Sequence, residues 1–296
     1  MKNMPIVSVI IPTHNRPELL KKALASVLAQ TYRDFEIIVV DDGTKQRAGG
    51  VVGGLNDPRI KYIQHEKEKG GSAARNTGIR NSVGKFIAFL DDDDEWLSHK
   101  LEVQMNSFTY TESDVGFCFS GVVNLKNDKE FATAVPEGVA DYYRLAVASF
   151  KSFLTVTLII KDYVFNEAGN FDEELPSHQE AELMLRISKK FRGLGINQPL
   201  ARVNMSDGHE QVGKDIAKSI AGRKLVLQKH LAEFKKYPDN LARHYFDLGL
   251  FYRDNRQYDE AGIHFKKALT TNFKFRYLLH FFSMMFNGNI YKHVRN

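Results

Sequence analysis

Phe86-Ile87-Ala88-Phe89-Leu90 is a short apolar run, and Asp91-Asp92-Asp93-Asp94 follow it directly. An apolar run of this length with polar residues at its end reads as a buried strand. Four carboxylates at its exit repel one another, so a stable fold must bring something positive to them. A hard divalent cation is one answer, since Mg2+ typically takes one or two protein carboxylates together with substrate phosphates. Open α/β sheets bind ligands at the carboxyl ends of their strands. The tetrad is therefore a candidate metal–phosphate site. The alternative is a solvated acidic turn or helix start, where Asp is common.

Other segments repeat the strand-then-polar pattern. Val7 to Ile11 reads as a strand stopped by Pro12, and Pro17 to Gln30 as a helix with Leu19, Leu20, Ala23, Leu24, Val27 and Leu28 at helical spacing. Phe35 to Val40 is a second strand ending at Asp41-Asp42-Gly43, Ile60 to Gln64 a third, and Ser72 to Asn81 a helix. Alternation of this kind implies an α/β fold with a mostly parallel sheet covered on both faces. Further on, strands are expected at Val115–Val123, Leu154–Ile160 and Gln198–Asn204, and helices at Tyr142–Phe150 and Gln179–Phe191. A polar loop, 205–213, precedes a wholly helical region. Within that region Leu248, Gly249, Tyr252, Ala261, Phe265 and Ala268 fall at the spacings of one tetratricopeptide repeat. A single copy does not build a solenoid, and an ordinary helical hairpin satisfies the same pattern. The domain reading is 1–212 for the α/β domain and 213–296 for a helical extension.

With 296 residues the chain is long enough for one large domain plus an appendage. Its net charge of +5 is modest but uneven, because no acidic residue follows Glu260 while Lys266, Lys267, Lys274, Arg276, Lys292 and Arg295 do. That basic end favours anionic surfaces. Cys118 is the only cysteine, so no intrachain disulfide can form. No signal pattern or membrane-spanning run is visible, which points to the cytoplasm.

Four segments converge on one sheet edge if the strands are parallel: Pro12-Thr13-His14-Asn15-Arg16, Asp41-Asp42-Gly43-Thr44, Gly70 to Gly78, and the tetrad with Glu95-Trp96. In this order they resemble the family-two inverting glycosyltransferases of the GT-A fold, from about Val7 to about Gln211. His14 stands where that family usually has Tyr. The resemblance implies a nucleotide site made by Pro12, Thr13, His14, Arg16, Asp41, Arg75, Asp91 and Asp92. Thr13 and His14 would flank the base, Asp41 would accept a hydrogen bond from it, and Arg75 would lie near the base or diphosphate. It also implies Mn2+ or Mg2+ held by Asp93, with Asp91 directly or through water, and with the loop residue His209 as a further ligand.

Inversion by single displacement needs a base for the acceptor hydroxyl. Gly169-Asn170-Phe171-Asp172-Glu173-Glu174-Leu175 matches a family segment, and Glu182-Leu183-Met184-Leu185-Arg186 sets the following helix register. The base then falls on Glu180, where the family usually has Asp; Glu is longer by one C–C bond, about 1.5 Å. The alternative for Glu180 is a helix-start carboxylate favoured by the dipole.

Phe273 to Tyr291 mixes aromatics with Lys and Arg, a composition suited to a membrane interface or to packing on the preceding hairpin. The expectation is a cytoplasmic, metal-dependent hexosyltransferase, peripheral at the inner membrane face. It would move sugar from a UDP-sugar to a glycan or lipid-linked acceptor in cell-surface polysaccharide synthesis, without nucleic acid as a partner. Two rivals remain at this point: a sugar nucleotidyltransferase and a non-catalytic nucleotide-binding module.

Overall fold

The computed structural model describes residues 4–126, 129–205 and 215–285. The chain forms two compact units. One draws its residues from within Met1–Ala146, Phe150–Glu173 and Glu180–His209, and the other from within Val147–Ser149, Glu174–Gln179 and Glu210–Asn296.

The first unit is built on a mixed sheet in the order β3 (Ile60–Gln64), β2 (Phe35–Asp41), β1 (Val7–Thr13), β4 (Phe86–Phe89), β9 (Ile159–Lys161), β6 (Val115–Lys126), β10 (Arg192–Asn204), β5 (Glu95–Trp96), with β7 (Lys129–Thr133) beside β6 and β8 (Gly138–Ala140) beside β10. Strands β1 (Val7–Thr13), β2 (Phe35–Asp41), β3 (Ile60–Gln64) and β4 (Phe86–Phe89) are parallel, and α1 (Pro17–Leu28), α2 (Gly49–Leu55) and α3 (Gly71–Arg80) connect them. The period of two divides their side chains between the faces. Val9, Ile11, Ile37, Val39 and Ala88 join Leu20, Leu24 and Val27 of α1 in one buried cluster, while Ile38 and Val40 pack with Ala74 of α3 on the other face. Gly78 lets α3 approach β1 closely, since a Cβ there would run into the Ile10 side chain.

Pro12 does not stop β1. The Ile10 carbonyl accepts from Leu90 N on the β4 side. Pro12, two residues on, turns its nitrogen to that same side, beyond Phe89, the last residue of β4. No ladder bond is lost there, so a proline is tolerated.

The other half of the sheet departs from the parallel expectation. β9 (Ile159–Lys161) runs antiparallel to both β4 and β6 (Val115–Lys126), β10 (Arg192–Asn204) is parallel to β6, and β5 (Glu95–Trp96) is antiparallel to β10. The expected strand 154–160 is split, with a 3-10 turn at Thr155–Thr157 before β9. Side chains take the carbonyls that a ladder would have used: Trp96 Nε1 donates to Val156 O at 3.0 Å and Gln104 Nε2 to Thr157 O at 2.9 Å. Helix α2 had no sequence signal because Gly49, Gly50, Gly53 and Gly54 are poor helix formers. Helix α4 (Lys100–Phe108) was hidden because Lys100 and Gln104 occupy its buried face.

In the second unit α10 (Pro238–Asp254) and α11 (Tyr258–Thr271) form a hairpin, followed by α12 (Phe275–Met285). Gly249 lies against Phe265, where an added Cβ would sit 2.5 Å from the ring. The sequence pattern thus marks a tight helix–helix contact.

Candidate active site

The chain runs outward from β1 through β2 to β3, then returns to place β4 on the other side of β1. The carboxyl ends of β1 and β4 therefore flank a topological switch point, the usual ligand crevice of an open α/β sheet. His14 to Arg16 leave β1 there, and the tetrad leaves β4.

The positive charge demanded by four adjacent carboxylates comes in part from the chain itself. Arg16 Nη2 lies 2.6 Å from Asp92 Oδ1 and its Nη1 3.2 Å from Asp93 Oδ2. Arg75, on α3, pairs with Asp91. Thr13 Oγ1 donates to Asp92 Oδ2 at 2.7 Å. Burial pushes the Asp92 carboxyl up to about 6, against the pull of Arg16 and Thr13. Burial and the neighbouring carboxylates raise Asp94 well above the ordinary range, and its Oδ1 accepts from Asn204 N at 3.2 Å. The tetrad thus divides by position: Asp92 and Asp94 are 1% and 8% exposed, whereas Asp91 and Asp93 keep partly accessible carboxylates.

That donor pair fits a hard divalent cation whose remaining ligands are phosphate oxygens and water. It does not make an all-protein cage: among the described residues no group of three His, Cys, Asp or Glu side chains could hold a metal. His209 lies outside the described residues.

Asp41 is fully buried and already engaged. Its Oδ1 accepts from Gly43 N at 2.9 Å, and its Oδ2 from Ala48 N at 2.8 Å and Tyr62 OH at 2.5 Å. Three of roughly four acceptor positions on the carboxylate are used. What the structure shows for Asp41 is a loop-fixing role, and a nucleobase N–H would have to take the fourth position. Asp42 does similar work for the glycine-rich segment, accepting from Lys69 N at 2.8 Å and Gly70 N at 2.7 Å, and it also contacts His65 Nδ1 at 2.7 Å. His14 is half-buried at the exit of β1, with its Nε2 3.0 Å from Asn15 Nδ2. Asn15 adopts φ 54° and accepts from Lys45 N and Gln46 N at 2.9 and 3.0 Å. The loop after β2 is thereby tied to the exit of β1.

Asn76 was not singled out by sequence reasoning. It accepts from Phe171 N at 3.0 Å and donates to Phe171 O at 2.9 Å and to Glu173 Oε1 at 2.8 Å. The Arg75 guanidinium lies 5.7 Å from the Phe171 ring centre. The Ala-Arg-Asn run therefore has two jobs: Arg75 faces the tetrad, and its neighbour clamps the Gly169–Glu173 segment that leads toward Glu180.

Glu180 lies in the first turn of α7 (Gln179–Ser188). Glu182 and Arg186 form the ion pair that the helix register implies, at 2.7 Å. Burial raises the Glu180 carboxyl above its ordinary value, Arg75 opposes this, and Asp91 adds to it. The candidate base is thus within electrostatic reach of the tetrad.

A cavity of about 210 Å3 lies against Asp92, Asp93, Asp94, Arg202 and Asn204. A larger one, about 690 Å3, sits at the opposite end of β4 beside Phe86 and Lys161. Polar groups around the larger cavity are satisfied by the backbone, with Tyr163 OH donating to Ser113 O at 2.6 Å and Lys161 Nζ to Glu112 O at 3.3 Å. The smaller cavity is the one beside chemistry.

Comparison with known proteins agrees with this geometry. Residues 8–150 match the family model "Glycosyl transferase family 2". The amylovoran biosynthesis glycosyltransferase AmsB of Erwinia amylovora is 30% identical over 229 residues, covering 72% of this chain and 75% of AmsB. The chain belongs to glycosyl transferase family 2. A UDP-Glc:alpha-D-GlcNAc-diphosphoundecaprenol beta-1,3-glucosyltransferase of Escherichia coli, WfgD, is 33% identical over 153 residues, covering 52% of this chain and 60% of WfgD. An uncharacterized glycosyltransferase of Rickettsia conorii is 30% identical over 203 residues, 68% of this chain, and the chain spans only 33% of that relative's length. Among solved structures, residues 1–349 of S. aureus TarS in complex with UDP-GlcNAc superpose with a TM-score of 0.67 at 18% identity, covering 88% of this chain and 81% of that TarS fragment. The fold is the GT-A α/β fold carrying additional C-terminal helices.

Proposed function

We propose that this chain is an inverting glycosyltransferase that moves a sugar from a UDP-sugar to a glycan or lipid-linked acceptor. The observation that carries the reading is the meeting, at the β1/β4 switch point, of the partly accessible carboxylates of Asp91 and Asp93 with Arg75 and Arg16. WfgD is named for a UDP-Glc donor and a diphosphoundecaprenol-linked acceptor, and TarS was crystallised with UDP-GlcNAc. Both support UDP as the nucleotide, and WfgD supports a lipid-linked acceptor. AmsB, named for amylovoran biosynthesis, supports a role in polysaccharide synthesis.

Each group has a defined task. Thr13, His14 and Arg16 line the nucleotide side of the crevice. Arg75 offsets negative charge beside Asp91. A divalent cation, Mn2+ or Mg2+, held by Asp93 and Asp91 would supply charge stabilisation to the departing diphosphate. Glu180 accepts the proton of the acceptor hydroxyl as its oxygen bonds to the anomeric carbon. The bond from that carbon to the diphosphate breaks, and its electron pair leaves on the diphosphate, which inverts the centre.

A base above the ordinary carboxylate range holds a proton more tightly in the transition state and loses its base form earlier as pH falls. Glu180→Gln should retain UDP binding and lose about 10²–10⁴-fold in kcat; near-normal transfer by this variant would overturn the assignment. Asp93→Ala should weaken UDP binding in Mn2+ far more than in its absence, as read by calorimetry with and without chelator. Equal losses under both conditions would remove Asp93 from the metal site.

A further inference from the structure

Helix α12 has two apolar faces. On one, Tyr277 is fully buried and stacks 4.7 Å from the Phe246 ring, and Met284 is 6% exposed. On the other, Phe275, Leu279 and Phe282 are 66%, 55% and 48% exposed. Their i, i+4, i+7 spacing makes one continuous stripe. Phe273, just before the helix, is 66% exposed, and Ile263 on the adjoining α11 is 48% exposed. Soluble surfaces rarely leave large apolar side chains aligned in this way without a partner.

The surrounding charge selects the partner. Lys266, Lys267 and Arg276 are exposed; Asp259 and Glu260 are exposed at the start of α11, and no acidic residue follows them in the sequence. The carboxylate of Asp239 is taken up by Lys274 Nζ at 3.1 Å and Asn272 Nδ2 at 2.6 Å. An isologous contact with a second copy would set these cations against their own counterparts. An anionic lipid surface would neutralise them while the aromatic stripe enters the headgroup boundary. No described helix is long and apolar enough to cross a membrane.

We propose that the outer face of α12 docks this protein reversibly on an anionic lipid bilayer, through Phe275, Leu279 and Phe282 with Arg276 and the α11 lysines as the charge contacts. The proposal does not depend on the transfer chemistry.

The test uses the full chain with phosphatidylcholine vesicles, with and without phosphatidylglycerol. Binding should require phosphatidylglycerol and weaken as salt rises. The triple variant Phe275→Ser/Leu279→Ser/Phe282→Ser changes only exposed positions and should bind at least about tenfold more weakly. Arg276→Gln should weaken binding about threefold to fivefold. Transfer to a water-soluble acceptor should stay unchanged in both variants. Equal vesicle binding by the triple variant would overturn the proposal. So would dimerisation that the triple variant abolishes, if it occurs without lipid binding. Vesicle binding without any sugar transfer would leave this surface intact and overturn the enzymatic reading instead.

Discussion

Asp92 and Lys100 are both buried ionisable groups on one stretch of chain, 1% and 0% exposed, yet the fold treats them in opposite ways. Asp92 keeps a guanidinium and a hydroxyl within hydrogen-bond distance. Lys100 donates to Gln104 Oε1 and lies 4.3 Å from the Trp96 ring centre, with no carboxylate partner among the described residues. Burial lowers its amine to about 7, and the same burial pushes the neighbouring Cys118 thiol up to about 12. Charge is compensated where the crevice needs it and shed where it does not.

The comparison breaks most visibly at Arg16. Arg16→Met leaves Asp92 buried without its cation and should cost about 2–4 kcal/mol in urea unfolding, below the top of the range for broken buried pairs because Arg16 is itself 30% exposed. A loss under about 0.5 kcal/mol, typical of neutral surface changes, would mean that Asp92 is not compensated by this residue.

Lys100→Met should do the reverse. An amine whose folded pKa lies below its unfolded value gives its full stability contribution above the unfolded pKa and loses it as pH falls through the folded one. The wild-type protein should therefore gain stability between pH about 7 and 10.5, with a slope of up to about 1.4 kcal/mol per pH unit. Lys100→Met should flatten that slope and stay within about 1 kcal/mol of wild type, or exceed it, at pH 7. An unchanged slope would place its origin elsewhere. The smallest effect is spectroscopic. Trp96 is the single tryptophan of the chain, and its emission should titrate with a midpoint near 7 in wild type and not in Lys100→Met.

The parallel half of the sheet was legible because β1, β2 and β4 are dominated by apolar residues and give way to polar ones at their carboxyl ends. The antiparallel half was not. Its carbonyls at Val156 and Thr157 are satisfied by Trp96 and Gln104, a solution no local pattern reveals. At the site, the tetrad and Glu180 were visible as residue types at strand and helix ends. Asn76 sat inside a quoted motif, yet its partners Phe171 and Glu173 lie more than 90 residues away. Which carboxylates of the tetrad stay accessible was not visible in the sequence, because it depends on Arg16 and Arg75, 77 and 16 residues away in the chain.

By itself the sequence determined the parallel strands β1 to β4, where polar chemistry gathers and which family the motifs resemble, because periodicity and strand exits are local properties. Only the tertiary structure decided which carboxylates are spent on the fold and which remain accessible. Burial and charge compensation depend on residues brought together across the chain: Arg16 meets Asp92, Arg75 meets Asp91, and Lys100 meets no counter-charge among the described residues.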